Sequence, residues 1–418
     1  MKSPKTVILD DDPTGTQSAT GAIVLLSWDV PSLLETLQTH PSVYLQTNSR
    51  AISEAEAIAL CTRIKSELAE VGALLGEEIL VVLRGDSTLR GHVFAESDVF
   101  AQGAAPILFV PAFPHGGRTT LDSVHRLAID GVPTPVGQTE YAQDPVFGFR
   151  SSHLVDYVRE KGDRSAIPVS LAELRTSGGS AVTEALLRAG VGECVVPDVE
   201  TDDDVELIHR GLMDALQQRR VVVRCAAPLA AMCADSYSAG LLTLPLTTPA
   251  GRTLIVCGSH TGGATAQLAA LEARGIRIVT LSTQAAFADP QASAADLVSE
   301  ATAALESEGI VAICSQRERR AEDNTLRHGE LVMEALMAAT AVLARSASVV
   351  ISKGGITSAE VACTALGASS AVVRGQVLDG VSVWDLASAP GAATVQVVVP
   401  GNVGSPETIA RVLDSLPR

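Results

Sequence analysis

Residues 6–16 read TVILDDDPTGT, a short apolar run that ends in three aspartates and a Pro-Thr-Gly turn. The run 6–9 is apolar on both faces, as expected of a strand in a parallel sheet that helices cover on both sides. In open α/β sheets, ligands bind at the carboxyl ends of the strands. The stretch therefore predicts an α/β fold with a polar site where its first strand ends.

The same alternation of short apolar runs and helical patterns continues along the chain. Further candidate strands are 22–26, 43–45, 79–83, 107–110, 221–224, 253–257, 276–281, 310–313, 349–351 and 395–399. Between two of them, Val205, Ile208, Leu212 and Leu216 recur at helical spacing. The alternation is typical of an α/β protein, and we predict two domains, each with a mostly parallel sheet flanked by helices.

A change of pattern divides the chain. Between 229 and 252 the periodicity lapses into Ser, Gly, Pro and Thr, and a new strand opens after it. We predict domains at 1–228 and 253–418, joined by a linker at 229–252, with the active site in the interdomain cleft. Another Pro- and Gly-containing stretch, 111–145, lies inside the first domain and is predicted to be a functional loop.

The composition restricts the classes of function. The chain has 31 Lys and Arg against 48 Asp and Glu, which gives a net charge of −17. Such a charge repels nucleic acids and anionic membranes, so we expect neither as a partner; a homodimer stays open. The seven cysteines show no metal-binding spacing, and no apolar run reaches the ~20 residues of a membrane span. We expect a cytoplasmic protein with buried, reduced thiols.

The aspartate cluster is the first candidate site. Asp10, Asp11 and Asp12 carry like charges close together, an arrangement that a cation or a hydroxyl-rich ligand stabilises. With Thr14 and Gly15 they allow three functional interpretations, which are metal ligation, general-base catalysis and binding of polyol hydroxyls. A solvated turn is the structural alternative, because Asp, Pro, Thr and Gly all favour turns. The sequence leaves any metal ligands unassigned.

A second segment, RGDSTLRGH at 84–92, follows the candidate strand 79–83. Its arginines, Arg84 and Arg90, suit bidentate recognition of a carboxylate or phosphate. Asp86 can accept a hydroxyl proton, and Ser87 and Thr88 add hydroxyl groups near a helix start, where free amides attract anions. An ordinary helix cap with surface charges is the alternative.

A third segment, PAFPHGGRTT at 111–120, lies in the predicted long loop. Arg118 and Thr119 offer further donors to an anion, and Gly117 permits close approach of the backbone. His115 is a weaker candidate, since a lone loop histidine is more often inert. Together the three segments predict a site for a small polyhydroxy anion.

Glycine-rich turns follow three strands in the second half. They match neither common nucleotide fingerprint, GxxxxGK[ST] or GxGxxG, yet each exposes backbone amides suited to a phosphate. Three such turns in one domain favour a shared nucleotide-polyphosphate site over simple packing turns. The candidate residues are Gly258, Ser259, Thr261, Lys353, Gly354, Gly355, Ile356, Thr357, Gly401, Asn402 and Gly404.

These motifs resemble a known family. DDPTG at 11–15, DSTLRG at 86–91, and PAFP with GRT at 111–119 are similar, in this order, to motifs of the four-carbon acid sugar kinase family. The resemblance covers nearly the full chain. It implies that the first domain binds an acid sugar, that the second binds ATP, and that phosphate is transferred to the 4-hydroxyl of threonate, erythronate or 3-oxo-tetronate.

The resemblance also implies roles for residues. With Mg²⁺ on the ATP phosphates, Arg84, Arg90 and Arg118 would hold the substrate carboxylate or the transferring phosphate, and Asp12 or Asp86 would take the hydroxyl proton. Many relatives have an acidic residue at the position of Ile356. They also have a lysine in the last glycine turn, for which Lys353 would substitute.

Two other functions stay open. Asp10, Asp12 and Thr14 also fit the D-x-D-x-T motif of haloacid-dehalogenase-like phosphatases, in which the first aspartate is the nucleophile. Ile356 and the altered last turn are compatible with a sugar-acid sensor that has lost ATP turnover. Phosphate release without added nucleotide would favour the phosphatase, and acid-sugar binding without ATP affinity would favour the sensor.

Overall fold

The structure, a computed structural model, describes residues 4–101, 103–129, 131–238, 240–246, 251–317, 326–401 and 403–417. It forms two compact units. The first consists of 1–22 and 28–239, and the second of 23–27 and 240–418. The second unit therefore includes a short segment from near the beginning of the sequence, which the sequence patterns did not indicate.

Short strands with largely buried side chains form the sheets of both units. They are β1 (Lys5–Asp10), β2 (Ile23–Leu25), β3 (Ser42–Gln46), β4 (Ile79–Arg84), β5 (Ile107–Val110), β6 (Arg118–Leu121), β7 (Val124–Ile129), β8 (Val132–Pro135), β9 (Ala166–Val169), β10 (Cys194–Pro197), β11 (Val222–Cys225), β12 (Arg252–Cys257), β13 (Ile278–Leu281), β14 (Ile310–Ser315), β15 (Ala347–Lys353), β16 (Ser370–Leu378), β17 (Val381–Leu386) and β18 (Val395–Val399). Val7 and Ile8, adjacent in β1 and therefore on opposite faces, are both fully buried. The apolar run thus forms a strand covered on both sides, as predicted.

Helices connect most of these strands. They are α1 (Val30–Thr39), α2 (Glu54–Leu75), α3 (Val93–Ala101), α4 (Leu154–Gly162), α5 (Leu171–Thr176), α6 (Ser180–Arg188), α7 (Asp202–Leu216), α8 (Ala227–Cys233), α9 (Gly262–Ala273), α10 (Thr283–Ala288), α11 (Pro290–Glu308), α12 (Leu326–Leu343), α13 (Gly355–Glu360) and α14 (Thr408–Ser415). In α7, Thr201 and Asp204 form a reciprocal capping box, and the predicted stripe of Val205, Ile208 and Leu212 is buried. Among the described residues, no helix has the length and apolarity to cross a membrane.

The main sheet of the first unit is entirely parallel, in the order β3-β1-β4-β11-β5-β10-β9. In the second unit, β13, β14, β12, β15 and β18 are parallel, and β17, β16 and β2 continue the sheet in antiparallel pairing. The predicted α/β class, with two domains and mostly parallel sheets, is confirmed. β1 lies between β3 and β4, so their carboxyl ends share one edge.

The stretch 111–145 is not the long loop that its Pro and Gly content suggested. It contains the antiparallel sheet β6-β7-β8. Asp122 and Ser123, with φ angles of 53° and 60°, form the tight turn between β6 and β7. Two consecutive left-handed residues match the twist of a hairpin. Without the usual Asn-Gly or Asp-Gly pair, this hairpin carried no recognisable sequence signal.

Candidate functional site

Arg84, the last residue of β4, neutralises the aspartates that end β1. Its Nη1 donates to one carboxylate oxygen of each of Asp10 (3.0 Å), Asp11 (3.1 Å) and Asp12 (3.0 Å). Its Nη2 donates to Thr14 Oγ1 at 3.1 Å. The side chains of Arg84 and the three aspartates are at most 2% exposed. The guanidinium therefore forms ion pairs with the protein's own carboxylates.

Asp10 is the most enclosed member of this cluster. Burial raises its pKa to about 7, against the opposing charge of Arg84 and with a further contribution from Asp11. Gly15 lies directly against the carboxylate, so that a Cβ at position 15 would overlap it. A phosphatase nucleophile needs access to a phosphate ester, and this carboxylate is fully buried.

Arg50 completes the cluster, although it lies in none of the three sequence motifs. It forms an ion pair with Asp12, and its Nε lies 3.4 Å from Asp11 Oδ2. Its Nη1 lies 3.4 Å from Asp86 Oδ2, which links the first and second sequence segments. The run QTNSR at 46–50 begins with the last residue of β3, the neighbour of β1, and continues beyond it. Polar residues after an adjacent parallel strand were the signal that could have found it.

Asp86 is surrounded by donors on one side. Its Oδ2 accepts hydrogen bonds from Thr88 Oγ1 and from Arg90 Nε, the latter at 2.7 Å. Burial acts to raise the pKa of Asp86, but the charges of Arg90 and Arg50 outweigh it and hold the pKa well below its usual range. Because these contacts all involve Oδ2, Oδ1 is the oxygen that remains for a ligand. Asp86 is thus a charged hydrogen-bond acceptor with little proton affinity.

Arg90 and Arg118 bring the second and third segments together. The Arg90 guanidinium lies 4.9 Å from the centre of the Tyr141 ring, and its Nη1 is 4.0 Å from Asp144 Oδ2. Arg90 is 21% exposed, compared with 2% for Arg84. Burial lowers the pKa of Arg118, an effect that Tyr141 and Asp86 partly offset. Arg90 therefore contacts Asp86 directly, and Arg118 lies near enough for the charge of Asp86 to act on it.

The DSTLRG turn is held from outside by buried side chains. His125 Nε2 contacts the Ser87 carbonyl at 2.8 Å, and its Nδ1 lies 3.0 Å from Thr120 Oγ1. Since a carbonyl can only accept, Nε2 carries the proton and Nδ1 accepts from Thr120. Burial lowers the pKa of His125 to about 4, which keeps the ring neutral near pH 7. Tyr157 donates to the carbonyl of Leu89 at 2.8 Å.

Arg224 of β11 packs against the DSTLRG turn. It makes a buried ion pair with Glu96 of α3. A Cβ at Gly85 would lie 2.6 Å from Arg224 Nη2, so the glycine lets the chain pass directly over the guanidinium. No sequence motif marks Arg224 or His125, because each lies far along the chain from the motif that it supports.

The remaining predicted residues of the third segment have structural surroundings. Gly117, at φ 78°, forms a tight turn in which its amide donates to the Pro114 carbonyl at 2.7 Å. Thr119 pairs with Arg126 across β6 and β7. His115 is exposed.

In the second unit, the glycine turns meet around Ser259. Thr261 caps α9, and its Oγ1 donates to the Gly401 carbonyl at 3.0 Å. A Cβ at Gly401 would lie 3.2 Å from Ser259 Oγ, and a Cβ at Gly354 would lie 3.0 Å from Ser259 Cβ. The three turns, which begin at residues 258, 353 and 401 of the sequence, thus form one surface of backbone and hydroxyl groups. Asn402 lies outside the described residues.

Thr357 and Lys353 fix this arrangement from below. Thr357 is 3% exposed, and its Oγ1 occupies the space that a Cβ at Gly258 would need. The Lys353 side chain is fully buried, and its Nζ donates to the carbonyls of Pro400 (2.6 Å) and Val403 (3.3 Å). Burial lowers the pKa of Lys353 to about 8. This lysine therefore braces the last turn.

The other predicted turn residues lie at helix starts or in packing positions. Gly355 and Ile356 begin α13, with Ile356 41% exposed. Gly404, at φ 93°, packs against Thr408 of α14. In the described part of the chain, no group of three or more His, Cys, Asp or Glu side chains is arranged to hold a metal ion.

The chain is similar to several known proteins. A D-threonate kinase from Salmonella typhimurium (strain LT2) is 29% identical over 206 residues, a match that spans 48% of this chain and 47%, about half, of the relative. Two solved structures share the fold at 17% identity, which shows the fold alone. A Salmonella typhimurium LT2 protein described as a putative tRNA synthase gives a TM-score of 0.70 over 99% of both chains. A Haemophilus influenzae DUF1537 protein gives 0.61 over 98% of this chain and 99% of its own.

Family models match both halves of the chain. The model of a sugar-binding N-terminal domain matches residues 6–233, and that of a nucleotide-binding C-terminal domain matches residues 254–409. The first match alone spans more than half of the sequence. The chain belongs to the four-carbon acid sugar kinase family.

Proposed function

We propose that the protein is an ATP-dependent kinase that phosphorylates the 4-hydroxyl of a four-carbon sugar acid such as threonate, erythronate or 3-oxo-tetronate. The observation that carries the proposal is the division of chemistry between the units. Carboxylates and arginines gather in the sugar-binding domain, and backbone amides and hydroxyls gather in the nucleotide-binding domain. The relative named for D-threonate supports the substrate class. We also propose that the protein works in the cytoplasm, where ATP is available and thiols stay reduced.

In the first domain, Arg90 and Arg118 are the cations that we assign to the ligand. Arg84 already neutralises three carboxylates, so its role is to hold them in place. Arg90 is more exposed and flanks Asp86. Arginine presents paired N–H groups that match a carboxylate. The sugar acid's carboxylate would therefore face Arg90 and Arg118.

Asp86 is the residue that we assign to the acceptor hydroxyl. Its Oδ1 would accept the hydrogen bond of that hydroxyl and orient its oxygen lone pair for attack. The lowered pKa of Asp86 does not prevent this role, because phosphoryl transfer proceeds through a loose transition state in which positioning matters more than strong base catalysis. Asp12 is less suitable, since Arg84, Arg50 and Thr14 all bond it.

The three glycine turns are suited to the ATP phosphates. Gly258 has no space for a side chain, and Gly354 and Gly401 closely approach Ser259, so the three turns come together near the start of α9, where free amides attract phosphate. The hydroxyls of Ser259 and Thr261, 3.3 Å apart, are oxygen ligands of the kind that Mg²⁺ accepts. When bound with ATP, Mg²⁺ supplies neutralisation of phosphate charge.

A screen of ATP consumption against a panel of four-carbon sugar acids tests the proposal. We expect turnover with one or a few acids, and ³¹P NMR of the product should show a phosphate ester at carbon 4. Binding of an acid sugar without ATP affinity would instead indicate the sensor. Phosphate release from esters without nucleotide would indicate a phosphatase. Either result would contradict the kinase.

A further inference from the structure

Arg317 follows β14 at the level of the first glycine turn. β12 and β14 are parallel neighbours, with Cys257 paired to Cys314. His260 lies three residues after Cys257, and Arg317 lies three residues after Cys314. The contact between His260 Nε2 and Ser315 Oγ, at 3.3 Å, shows that the two extensions stay together. Arg317 therefore lies at the edge of the sheet where the glycine turns meet.

The guanidinium of Arg317 is attached to the beginning of α9. Its Nε and Nη2 both donate to Thr265 Oγ1, at 3.2 and 3.0 Å. Its Nη1 is shielded from solvent and has no hydrogen-bond partner among the described residues. Burial raises the pKa values of Cys257 and Cys314, and the charge of Arg317 opposes both shifts, as expected for a cation above the two strand ends.

This position is electrostatically unfavourable without an anion. The N-terminus of a helix carries a partial positive charge, so a cation stabilises the opposite end. The shielded Nη1 adds the desolvation cost of an unpaired donor. Thr265 satisfies only Nε and Nη2, and with a neutral oxygen. An anionic oxygen near the first turn of α9 would relieve both unfavourable effects.

The described residues of the glycine turns include no exposed lysine or arginine. In their described residues, Lys353 is the basic side chain, and its Nζ is buried against two carbonyls. Without a further cation from the protein, amides, hydroxyls and the Mg²⁺ bound with ATP would have to compensate the several negative charges of a polyphosphate. Arg317 lies beside these turns and carries an unpaired donor.

We propose that Arg317 binds a phosphate group of the nucleotide's polyphosphate, an inference that rests on the proposed binding of ATP by this domain. The guanidinium turns its free Nη1 to a phosphate oxygen while Thr265 holds the rest of the group. Arg317 is thus a binding residue for the phosphates and not for the adenosine.

Calorimetric titration of the full chain with ATP, ADP and adenosine tests this assignment. We expect Arg317→Gln to weaken ATP binding at least ~10-fold, the effect of losing one charge-assisted hydrogen bond, to weaken ADP less, and to leave adenosine unchanged. Arg317→Lys should show an intermediate loss. Arg274→Gln is the matched control, because Arg274 ends the same helix and pairs with Asp414. It should bind all three ligands as the unmodified protein does.

Three results would overturn the inference. ATP affinity could be unchanged in Arg317→Gln, or all three ligands could lose affinity equally, as a structural defect would cause. If the unmodified protein binds no nucleotide, the proposed function fails. Titration with inorganic tripolyphosphate then tests separately whether Arg317 binds a phosphate group. If the unmodified protein binds tripolyphosphate and Arg317→Gln abolishes that binding, the anion site is supported. If the unmodified protein does not bind tripolyphosphate, the anion site is contradicted. Should Arg317→Gln fail to fold, Arg317→Lys carries the test.

Discussion

The hydroxyl of Tyr157 donates to the carbonyl of Leu89 across 2.8 Å, and Leu89 is a buried leucine with a φ of 68°. Leucine rarely adopts this left-handed conformation, which costs about 1–3 kcal/mol. The bond from α4 helps to stabilise the strained turn that presents Asp86 and Arg90. The turn is therefore already shaped before a ligand arrives.

Tyr157→Phe should weaken the first domain and its substrate site together. Loss of the hydroxyl leaves the Leu89 carbonyl unpaired, so we expect the free energy of unfolding to fall by about 1–2 kcal/mol. We also expect a higher KM for the acid sugar and an unchanged KM for ATP. Urea unfolding can be followed through Trp28 in a Trp384→Phe background, because Trp28 lies in the first unit. Reduced stability with an unaltered acid-sugar KM would show that the bond does not position the site.

Asp86→Asn should leave substrate binding largely intact and lower kcat by about 10²–10³-fold. The amide cannot accept a proton and offers a weaker hydrogen bond to the acceptor hydroxyl. Steady-state kinetics at saturating ATP and acid sugar measure the effect, with Asp144→Asn as the control at a more peripheral carboxylate. A kcat equal to that of the unmodified protein would exclude Asp86 from the reaction.

Arg84→Met should unfold the first domain. The substitution leaves Asp10 without its hydrogen-bonded cation and leaves Asp11 and Asp12 with Arg50 alone, and an uncompensated buried charge costs about 3–5 kcal/mol. Adding Asp10→Asn should restore part of the stability, since it removes one of those charges. If Arg84 instead bound substrate, Arg84→Met would remain stable and change only KM. Thermal unfolding and substrate kinetics together separate the two outcomes.

His125 predicts a dependence of stability on pH. Its pKa in the folded protein is about 4, below the value of 6.5 for an unperturbed histidine. Between these values the unfolded chain binds a proton that the folded chain does not, so stability falls as the pH falls from 6.5 to 4. His125→Gln should reduce that slope by up to ~1.4 kcal/mol per pH unit. Urea unfolding of the first domain at a series of pH values measures it, and parallel slopes would contradict the prediction.

Gly258→Ala should raise the KM for ATP by at least ~10-fold, because the new methyl group overlaps Thr357 Oγ1 and spreads two of the glycine turns apart. Gly329→Ala is the control, since a Cβ there meets no atom within 4 Å. Adding Thr357→Ala to Gly258→Ala should relieve the overlap. Equal ATP kinetics in Gly258→Ala and Gly329→Ala would show that these turns do not bind the nucleotide.

Local patterns predicted more of the fold than of the site. Apolar runs such as 79–83 marked the buried parallel strands, since burial on both faces leaves a continuous signal. The hairpin of β6 and β7 had no such signal, because its turn consists of Asp122 and Ser123. Among the candidate site residues, the motifs include Asp86 and Arg90 directly. Arg50 and His125 were missed, since only tertiary packing brings them to the motifs.

The sequence also could not show which arginine pairs with carboxylates of the protein itself. From composition, Arg84 and Arg90 were equivalent candidates for a substrate carboxylate. The structure distinguishes them because Arg84 occupies the register position beside Asp10 in adjacent parallel strands. Strand pairing, which no local pattern encodes, therefore decides whether the cation faces the protein's own carboxylates or a ligand.

Strand β2 has a consequence for synthesis on the ribosome. It belongs to the second unit, where Val24 pairs with Ala371 of β16. The ribosome makes β2 several hundred residues before its partner β16, at roughly 5–20 residues per second. The C-terminal domain can finish folding only when this early strand is still free to join it. Expressed alone from residue 240, that domain would expose the edge of β16 and be prone to aggregate.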